Sequence, residues 1–562
     1  MSISTGTTAR PAIIGIDYGT ASVRAVVVDG ATGAELGEGE YLYVRGTDGV
    51  VADPEDPHVA RQSPHDYLEG LRVSVTRALD RAEGGDFDRS RVVAIGVGTT
   101  GSTPIPVDGD GVPMGLDPRF DGDPDAMAWL WKDHTSHAET GEINAMVARD
   151  GLPYLGPCGS TYSSEWYWAK LAHFLRTASP ALKEATRGWV ELADYIPAHL
   201  VGRLEPTTAP RGICPAGHKA MYDVAWGGLP TAEFLDAIEP GMAAFRYDTV
   251  AQASDTPVGG LTDEIAAELG LRPGIPVAAG AFDAHVGAVG AGVDEGTLVK
   301  IVGTSTCDTT VVPGERPLIA GLCGSVPDSI IPGMAGLEAG QSAVGDIFAW
   351  FASSFAPGDA ASASERLDAL GREAARVPPG ASGLLGLDWH NGNRSVLVDP
   401  LLSGAMIGMT LATTAAEFYR ALIESTAFGA QRIIEQFESN GVPIRRVVLS
   451  GGIVKKNPLL VQIYADVTGR PVELAGTSQT CAVGAAILAG VAAGVHPSTE
   501  AAQAAMVPAP AGVVDPEPSA VAVYAELYAL YRRLHDAFGV RGVDDLSDVM
   551  KRLHRIRSGA GR

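Results

Sequence analysis

Cysteine is scarce in this sequence, and the positions of the few that occur exclude two kinds of site. Five cysteines are spread over 562 residues, at positions 158, 214, 307, 323 and 481. No two of them have the C-x-x-C spacing that is typical of metal and redox sites. We therefore expect reduced thiols in a cytoplasmic protein, without a disulfide framework and without a zinc site built on cysteines.

Long apolar runs are missing as well. The longest apolar run near the C-terminus, residues 482–495, is shorter than the ~18 residues that a bilayer-spanning helix needs. Residues 1–6, Met-Ser-Ile-Ser-Thr-Gly, contain no basic segment followed by an apolar one. The sequence thus predicts neither a membrane helix nor a signal peptide, and we expect no membrane partner.

Positive charge is low relative to negative charge. Lys and Arg total 42 against 67 Asp and Glu, which gives a formal net charge of -25 and a pI near 4.8. An acidic surface repels nucleic acids and anionic membranes, so neither is expected as the main partner. A nucleotide is compatible with this charge, because it needs only local hydrogen-bond donors and a metal ion.

Apolar residues are abundant, at 46% of the chain, and the length suits two to four domains. Residues 13–29 predict a β-hairpin around a polar turn, residues 64–82 an amphipathic helix, and residues 92–97 a buried strand. This order is typical of an α/β domain, in which ligands bind beyond the ends of the strands.

The strand–turn–strand pattern occurs twice. The first turn, Asp17-Tyr18-Gly19-Thr20, offers backbone N–H groups and a hydroxyl to an anion, with a carboxylate nearby for Mg²⁺. The pattern returns at residues 296–312, around the turn 303–306. We interpret the recurrence as an internal duplication, with two halves facing each other across a cleft. As ordinary hairpin turns the two segments would need no ligand, and this alternative stays open.

Asp283 lies near the middle of the chain, among small residues. It follows a predicted buried strand at residues 275–279, and residues 280–292 are rich in Gly and Ala. Small residues allow a substrate or another backbone segment to approach closely. A carboxylate there is a candidate general base facing a cleft, and it is equally a candidate N-cap of the helix that follows.

Three further segments combine polar groups with aromatic or small residues. Trp131 lies among polar groups that suit a sugar, although tryptophans are more often core residues. Residues 163–171 predict a helix with Ser164 as N-cap. A loop predicted over residues 205–228 carries Lys219, where a surface lysine is the simplest interpretation. Gly451-Gly452, after a predicted strand at 446–450, suits either a plain turn or the approach of a nucleotide.

Many segments, taken in order, resemble the FGGY family of carbohydrate kinases. The family signature of the C-terminal half is matched at residues 404–409, Gly-Ala-Met-Ile-Gly-Met, and again at 417–424. Further matches lie at residues 100–104, 130–135, 162–166, 216–219, 226–230, 280–285, 303–308 and 336–343. The resemblance covers nearly the whole chain, and within the family it is strongest to members that act on L-ribulose.

The resemblance implies an α/β fold of two actin-like (RNase H-like) domains, each a mixed β-sheet flanked by helices. The active site would lie in the cleft between them. Residues 1–286 would form the sugar-binding domain with the first phosphate hairpin, and residues 287–562 the nucleotide-binding domain. The resemblance is also compatible with a homodimer.

The resemblance further implies ATP-dependent phosphorylation of L-ribulose at O5, in L-arabinose catabolism, with Asp283 as general base. The ketose would be held by Gly101, Trp131, Lys219, Asp283 and Glu338. ATP would be bound by Asp17, Gly19, Thr20, Gly303, Thr304, Ser305, Gly340, Gly404, Gly451, Gly452 and Asn457. Asp17 is expected to orient Mg²⁺.

Two alternatives remain at this point. A sibling kinase acting on xylulose or a pentitol would share the whole ATP apparatus, and only Trp131, Lys219 and Glu338 argue against it. An actin- or Hsp70-like ATP-driven switch would leave Asp283 and the aromatic–lysine cluster without a task.

Overall fold

A computed structural model of the chain describes residues 10–84, 87–355 and 362–540, together with residues 542, 546 and 550–551. Residues 1–6, where no signal peptide is expected, and the outer limits of the predicted domains, residues 1 and 562, lie outside the described residues. The strands, in chain order, are β1 (Ala12–Tyr18), β2 (Ser22–Asp29), β3 (Glu35–Leu42), β4 (Arg61–Gln62), β5 (Val92–Thr99), β6 (Pro104–Val107), β7 (Ala128–Trp129), β8 (Gly188–Glu191), β9 (Pro257–Gly260), β10 (Pro276–Ala278), β11 (Ala281–Phe282), β12 (Thr297–Val302), β13 (Thr306–Pro313), β14 (Gly324–Pro327), β15 (Met334–Ala339), β16 (Leu385–Leu387), β17 (Ala405–Ile407), β18 (Arg446–Ser450), β19 (Val472–Leu474) and β20 (Gly512–Val514).

Helices alternate with these strands along most of the chain. They are α1 (Pro64–Ala82), α2 (His137–Asp150), α3 (Tyr167–Thr177), α4 (Pro180–Ala185), α5 (Leu192–Leu200), α6 (Ile213–Lys219), α7 (Ala232–Ile238), α8 (Asp263–Leu269), α9 (Asp283–Gly290), α10 (Gly345–Ser354), α11 (Ala363–Ala374), α12 (Ala415–Ser439), α13 (Gly452–Lys456), α14 (Pro458–Thr468), α15 (Thr480–Ala492), α16 (Thr499–Met506) and α17 (Pro518–Gly539). In the described part of the chain, none of them is both long enough and apolar enough to span a membrane.

The first large sheet has the order β3-β2-β1-β5-β10-β9, with the short β11 paired to β5. Its first three strands form an antiparallel meander, whereas β1, β5 and β10 run parallel. Strand β1 is buried along its whole length, because helix α1 covers one part of the sheet and α15 packs on β1 and β5. Gly15 permits this approach, since a Cβ there would lie 1.8 Å from the carbonyl oxygen of Ala482.

The second large sheet repeats this arrangement. Its order is β14-β15-β13-β12-β18-β19-β20, in which β13 pairs antiparallel with both β12 and β15, and β12, β18 and β19 run parallel. Each sheet therefore opens with a hairpin beside a parallel strand, as the predicted duplication requires. Helix α15 belongs to the second half of the sequence but packs on the first sheet. The boundary at 286/287 stays a prediction.

Two local predictions were wrong. Helix α3 begins at Tyr167 with Trp166 as N-cap, rather than at Ser164. The hydroxyl of Ser164 instead pairs with Nδ1 of His134 at 3.1 Å. The segment before Lys219 is helix α6 rather than a loop. Its proline is in the first turn, where a missing backbone N–H breaks no helical hydrogen bond.

Candidate active site

A cavity of about 190 Å³ lies between the two sheets, where both hairpins turn. Sequence-predicted site residues from both halves of the chain line it: Thr20, Gly101, Trp131, Lys219, Asp283, Gly303, Thr304, Ser305 and Glu338. The structure thus brings the predicted base, the predicted sugar contacts and both polar turns around one space. Residues separated by more than 300 positions meet there.

Asp283 is the first residue of α9, and strand β11 delivers it to the cavity. Strand β11 pairs in parallel with β5, next to the first hairpin. The N-cap of α9 is Phe282, so the interpretation of Asp283 as the helix cap is wrong. Oδ1 of Asp283 accepts a hydrogen bond of 2.7 Å from the N–H of Ala284. That bond orients the carboxylate and leaves its second oxygen to face a ligand.

The surroundings of Asp283 favour its protonated form. Burial raises the pKa of this carboxyl to about 7, and the negative charge of Asp17 adds to the rise, while the Ala284 N–H opposes it. The base role itself needs only a carboxylate with a pKa near the ordinary value. In the structure the pKa is higher, mainly because the carboxyl is buried and secondly because of the charge of Asp17, and this pKa suits a general base near neutral pH.

Asp17 is a buried carboxylate whose charge acts on Asp283, although it is not among the residues that line the cavity. It lies near the end of β1, opposite Arg24 in the register with β2. It is 8% exposed, and its Oδ1 has no hydrogen-bond partner among the described residues. Burial raises the pKa of Asp17 to about 6, against the lowering effect of Arg24. A buried carboxylate oxygen without a partner fits the oxygen-rich shell that Mg²⁺ prefers.

Lys219 and Glu338 form an ion pair across the cavity. Lys219 ends α6, Glu338 lies in β15, and the ammonium nitrogen is 3.0 Å from both carboxylate oxygens. Lys219 is only 3% exposed, so its simplest interpretation as a surface lysine is wrong. Burial opposes the charge of Lys219, but the carboxylate outweighs it and raises the pKa of the ammonium. Burial also opposes the charge of Glu338, yet Lys219 holds its pKa well below the usual range. The pair presents a donor and an acceptor to one ligand.

Trp131 closes another side of the cavity. Its indole Nε1 donates to the hydroxyl of Thr20 at 3.1 Å, which ties it to the first hairpin turn. The guanidinium of Arg394 lies 5.6 Å from the centre of the Trp131 ring, within the range of a cation–π contact. Arg394 also donates to Glu165 at 3.0 Å, and both residues line the cavity.

Sequence analysis missed Glu165 and Arg394. Glu165 lies in a segment that matched the family, at residues 162–166, but it had no assigned role there. Arg394 lies in the segment Asn-Gly-Asn-Arg at residues 391–394. The only local indication of a functional residue there is a charge between Gly392 and Pro400. Their partnership spans 229 positions of sequence, so no local pattern indicates it.

The other predicted nucleotide residues of the second half, Gly340, Gly404, Gly451, Gly452 and Asn457, are not among the residues that line this cavity. Gly451 adjoins the second hairpin, since a Cβ there would be 2.2 Å from the carbonyl oxygen of Val302. Gly452 begins α13 and has open space around it. Asn457 caps α14, where its Oδ1 accepts from the N–H of Leu460 at 3.1 Å.

Two more of these glycines are required by packing. A Cβ on Gly340 would lie 2.2 Å from the carbonyl oxygen of Thr306, and one on Gly404 would lie 2.6 Å from the ring of His390. At the first hairpin, the N–H of Gly19 donates to Ser22 across the turn at 2.9 Å. Packing explains Gly340 and Gly404 without a ligand, whereas the bond of Gly19 can be made by any residue except proline. The nucleotide roles of all three stay predictions.

A larger cavity of about 910 Å³ adjoins the first one. The two share four charged residues: Glu165, Lys219, Glu338 and Arg394. The larger space continues between residues 134–166 of the first half and 391–401 of the second. The small cavity is therefore bounded on this side by the two ion pairs.

Comparison with known proteins identifies the family. The N-terminal domain of the FGGY family of carbohydrate kinases matches residues 12–290, and the C-terminal domain of the same family matches residues 298–493. A ribulokinase from Vibrio parahaemolyticus is 40% identical over 93% of this chain and 95% of its own length. A ribulokinase from Shouchella clausii is 41% identical over 97% and 98%, respectively.

Solved structures agree with the fold. A xylulose kinase from Rhodospirillum rubrum superposes with a TM-score of 0.75 at 24% identity, and covers 94% of this chain and 99% of its own. The predicted fold class, two α/β domains with mixed sheets flanked by helices, is confirmed. Carbohydrate kinases transfer phosphate from ATP to a sugar, so the ATP-driven switch is no longer needed as an alternative. The chain belongs to the FGGY family of carbohydrate kinases.

Proposed function

We propose that this protein transfers the γ-phosphoryl group of ATP to O5 of L-ribulose, which gives L-ribulose 5-phosphate and ADP in L-arabinose catabolism. The observation that carries the proposal is the small cavity in which Asp283 faces the Lys219–Glu338 pair. Its volume, about 190 Å³, is below the ~300 Å³ at which drug-sized pockets begin, which favours a small ligand. The ribulokinases similar over nearly the whole chain support the choice of ketose.

The ketose is held by groups of opposite hydrogen-bonding capacity. The ammonium of Lys219 donates to the sugar carbonyl or a hydroxyl, and the carboxylate of Glu338 accepts from hydroxyl groups. The face of Trp131 covers apolar C–H groups of the sugar. Gly101 has no room for a side chain, because a Cβ there would lie 1.9 Å from the ring of Phe282. Packing on Phe282 explains this glycine, and the expected sugar contact is with the Gly101 backbone, which lines the cavity.

Phosphoryl transfer needs one proton acceptor at the sugar. Asp283 takes the proton of O5 as the O5–phosphorus bond forms, and the bond from the γ-phosphorus to the bridging oxygen of ADP breaks. A base with a pKa near neutrality is deprotonated in part at pH 7 and still binds the proton well. Asp283 keeps this proton until the product leaves.

The two hairpin turns hold the phosphates from opposite sides. Thr20 follows β1, and Gly303, Thr304 and Ser305 connect β12 to β13. Asp17 would hold Mg²⁺ through its buried carboxylate oxygen, which has no hydrogen-bond partner among the described residues. Bound Mg²⁺ neutralises charge on the phosphate oxygens. Gly19 shapes the first turn. We assign the rest of the nucleotide to Gly404, Gly451, Gly452 and Asn457, whereas Gly340 is buried and packs on the backbone of Thr306.

An ADP-release assay with L-ribulose, D-ribulose, L-xylulose, D-xylulose and ribitol tests the proposal. We expect the highest kcat/KM with L-ribulose. A clear preference for a xylulose or for ribitol would assign the chain to the sibling alternative, and turnover with none of the five would overturn the proposal. The xylulose kinase structure, at 24% identity, supports only the fold and does not favour that alternative.

The proposal also includes the location and the oligomeric state of the enzyme. We place the enzyme in the cytoplasm, where its sugar and ATP occur together, and we propose a homodimer. Fractionation of the source cells and light scattering of the purified chain test these two statements.

A further inference from the structure

A buried cluster behind the Lys219–Glu338 pair has no role in the reaction proposed above. It consists of His218, which precedes Lys219 in α6, and His285, which lies in the first turn of α9. Their rings stack with centres 4.5 Å apart, and the two side chains are 0% and 1% exposed. Both rings face one oxygen of Glu338: Nδ1 of His218 is 3.3 Å from Oε2, and Nε2 of His285 is 3.4 Å from it.

The hydrogen bonds around His218 fix its tautomer. The hydroxyl of Ser329 donates to the carbonyl of Val326 at 2.9 Å, so its oxygen accepts from Nε2–H of His218 at 3.0 Å. A neutral His218 therefore keeps a lone pair on Nδ1, and this lone pair points at the carboxylate. Two electron pairs that face each other in a dry site repel unless a proton or a cation lies between them.

His285 completes the set. Its Nδ1 lies 2.9 Å from Sγ of Cys214, and the tautomer that donates to this sulfur leaves Nε2 free to ligate. Neither Nδ1 of His218 nor Nε2 of His285 has a hydrogen-bond partner among the described residues. Each imidazole thus has a second-shell partner on one nitrogen and an open nitrogen on the other, as metal-binding histidines have.

The two distances from the imidazole nitrogens to Oε2 of Glu338, 3.3 and 3.4 Å, match zinc. Two ligand atoms, each ~2.1 Å from a tetrahedral Zn²⁺, lie ~3.4 Å apart. The three ligand atoms lie within 4.8 Å of one another, and no other group of three such side chains in the described part of the chain meets this limit. His285 and Glu338 also line the 190 Å³ cavity, which provides an access route and room for a water as fourth ligand.

We propose that His218, His285 and Glu338 form a binding site for a divalent transition metal, with Zn²⁺ as the best match. The ion takes Oε2 of Glu338, and Lys219 retains Oε1. The ammonium of Lys219 repels the ion, so the site is weaker than a structural zinc site. If the proposed function is correct, bound Zn²⁺ withdraws Glu338 from the ketose and inhibits the kinase in competition with the sugar.

The binding test uses the metal-free full chain without ATP or sugar, so its outcome does not depend on the proposed function. Titration with Co²⁺ should give visible d–d bands without a thiolate-to-metal band, because no cysteine is a ligand. Calorimetry with Zn²⁺ should give one site per chain. His65→Ala removes an exposed histidine on α1 and should leave that site unchanged.

Variants of the proposed ligands test whether Zn²⁺ binds at this site. His218→Ala and His285→Ala should each weaken Zn²⁺ binding by more than the ~10–100-fold that loss of a second-shell partner costs, and Ser329→Ala should fall within that range. Lys219→Met should tighten binding, because it removes the nearest positive charge. Circular dichroism confirms that each variant is folded. The inference is overturned if Zn²⁺ does not bind the unmodified chain, which would leave a shared proton between His218 and Glu338. It is equally overturned if binding survives in both histidine variants.

Discussion

Replacing Asp283 by Asn should make the protein more stable and less active at the same time. The fold raises the pKa of Asp283 from 3.8 to about 7, a shift of about three units. Each unit corresponds to about 1.4 kcal/mol of differential interaction. Above pH 7 the ionised carboxylate therefore lowers the free energy of unfolding by about 4 kcal/mol, and a neutral amide avoids this loss.

The sign follows from proton binding. Between pH 3.8 and about 7 the folded state holds a proton on Asp283 that the unfolded state has released, so stability falls as the pH rises. The advantage of Asp283→Asn should therefore be complete above pH 7. It should shrink by about 1.4 kcal/mol for each pH unit below that value. Urea unfolding at several pH values, analysed for the first transition, measures this difference.

A matched control separates this effect from a general property of helix starts. Asp263 is the first residue of α8, as Asp283 is of α9, but it is exposed. Asp263→Asn should lose about 0.3–1 kcal/mol of favourable interaction with the helix dipole and show no gain at high pH. Equal stability of Asp283→Asn and the unmodified protein at pH 8 would refute the burial argument.

Activity gives the second readout of the same variant. An amide accepts the Ala284 N–H but takes no proton from O5, so kcat in the ADP-release assay should fall ~10²–10⁴-fold. In the unmodified protein, kcat/KM should decline tenfold per pH unit below about pH 7, because only the ionised base acts. A variant that keeps more than about a tenth of the kcat would remove Asp283 from the base role.

Three further predictions concern the surroundings of the base. Lys219→Met leaves a buried carboxylate without its partner, so urea unfolding should show a loss of about 3–5 kcal/mol, and the KM for the ketose should rise more than that for ATP. Gly451→Ala should destabilise the fold by about 1–3 kcal/mol, because φ is 113° there. Gly452→Ala, in open space, should change the free energy of unfolding by less than about 0.5 kcal/mol. Arg394→Met frees Glu165 and should raise the KM for the ketose in steady-state kinetics; an equal rise for ATP would contradict its place at the sugar cavity.

Local patterns predicted the scaffold of the site well. The helix predicted at residues 64–82 is α1 with the same limits, because its apolar period and the proline at its first position specify both the face and the start. Both strand–turn–strand patterns are hairpins, and Asp283 lies at the predicted strand end. These features depend on residues within a few positions of each other, where periodicity and turn chemistry act directly.

Partnerships across the cleft could not be predicted in this way. Lys219 looked like a surface lysine because its neutralising carboxylate lies 119 positions away, in another sheet. Glu165 lies in a segment that resembles the family, but its role as the partner of Arg394 is visible only in the structure. Burial is the main cause of the raised pKa of Asp283, and the second cause, the charge of Asp17, comes from the other end of the same half. Charge pairs depend on which strand ends meet in the fold. Local sequence patterns do not show this when the partners are far apart in the chain.

Glycine patterns show most clearly where sequence and structure diverge. A run such as Gly-Gly predicts close approach, but the approaching group is either a ligand or the protein itself. At Gly340 the group is the backbone of Thr306, whereas Gly452 has nothing within 4 Å. Packing therefore explains the first glycine completely, and a nucleotide is the better explanation for the second. A nucleotide at this surface should accordingly be sensitive to a side chain at 452, even though the fold tolerates one there. The KM of Gly452→Ala for ATP, compared with its unchanged stability, separates these two reasons for the same residue.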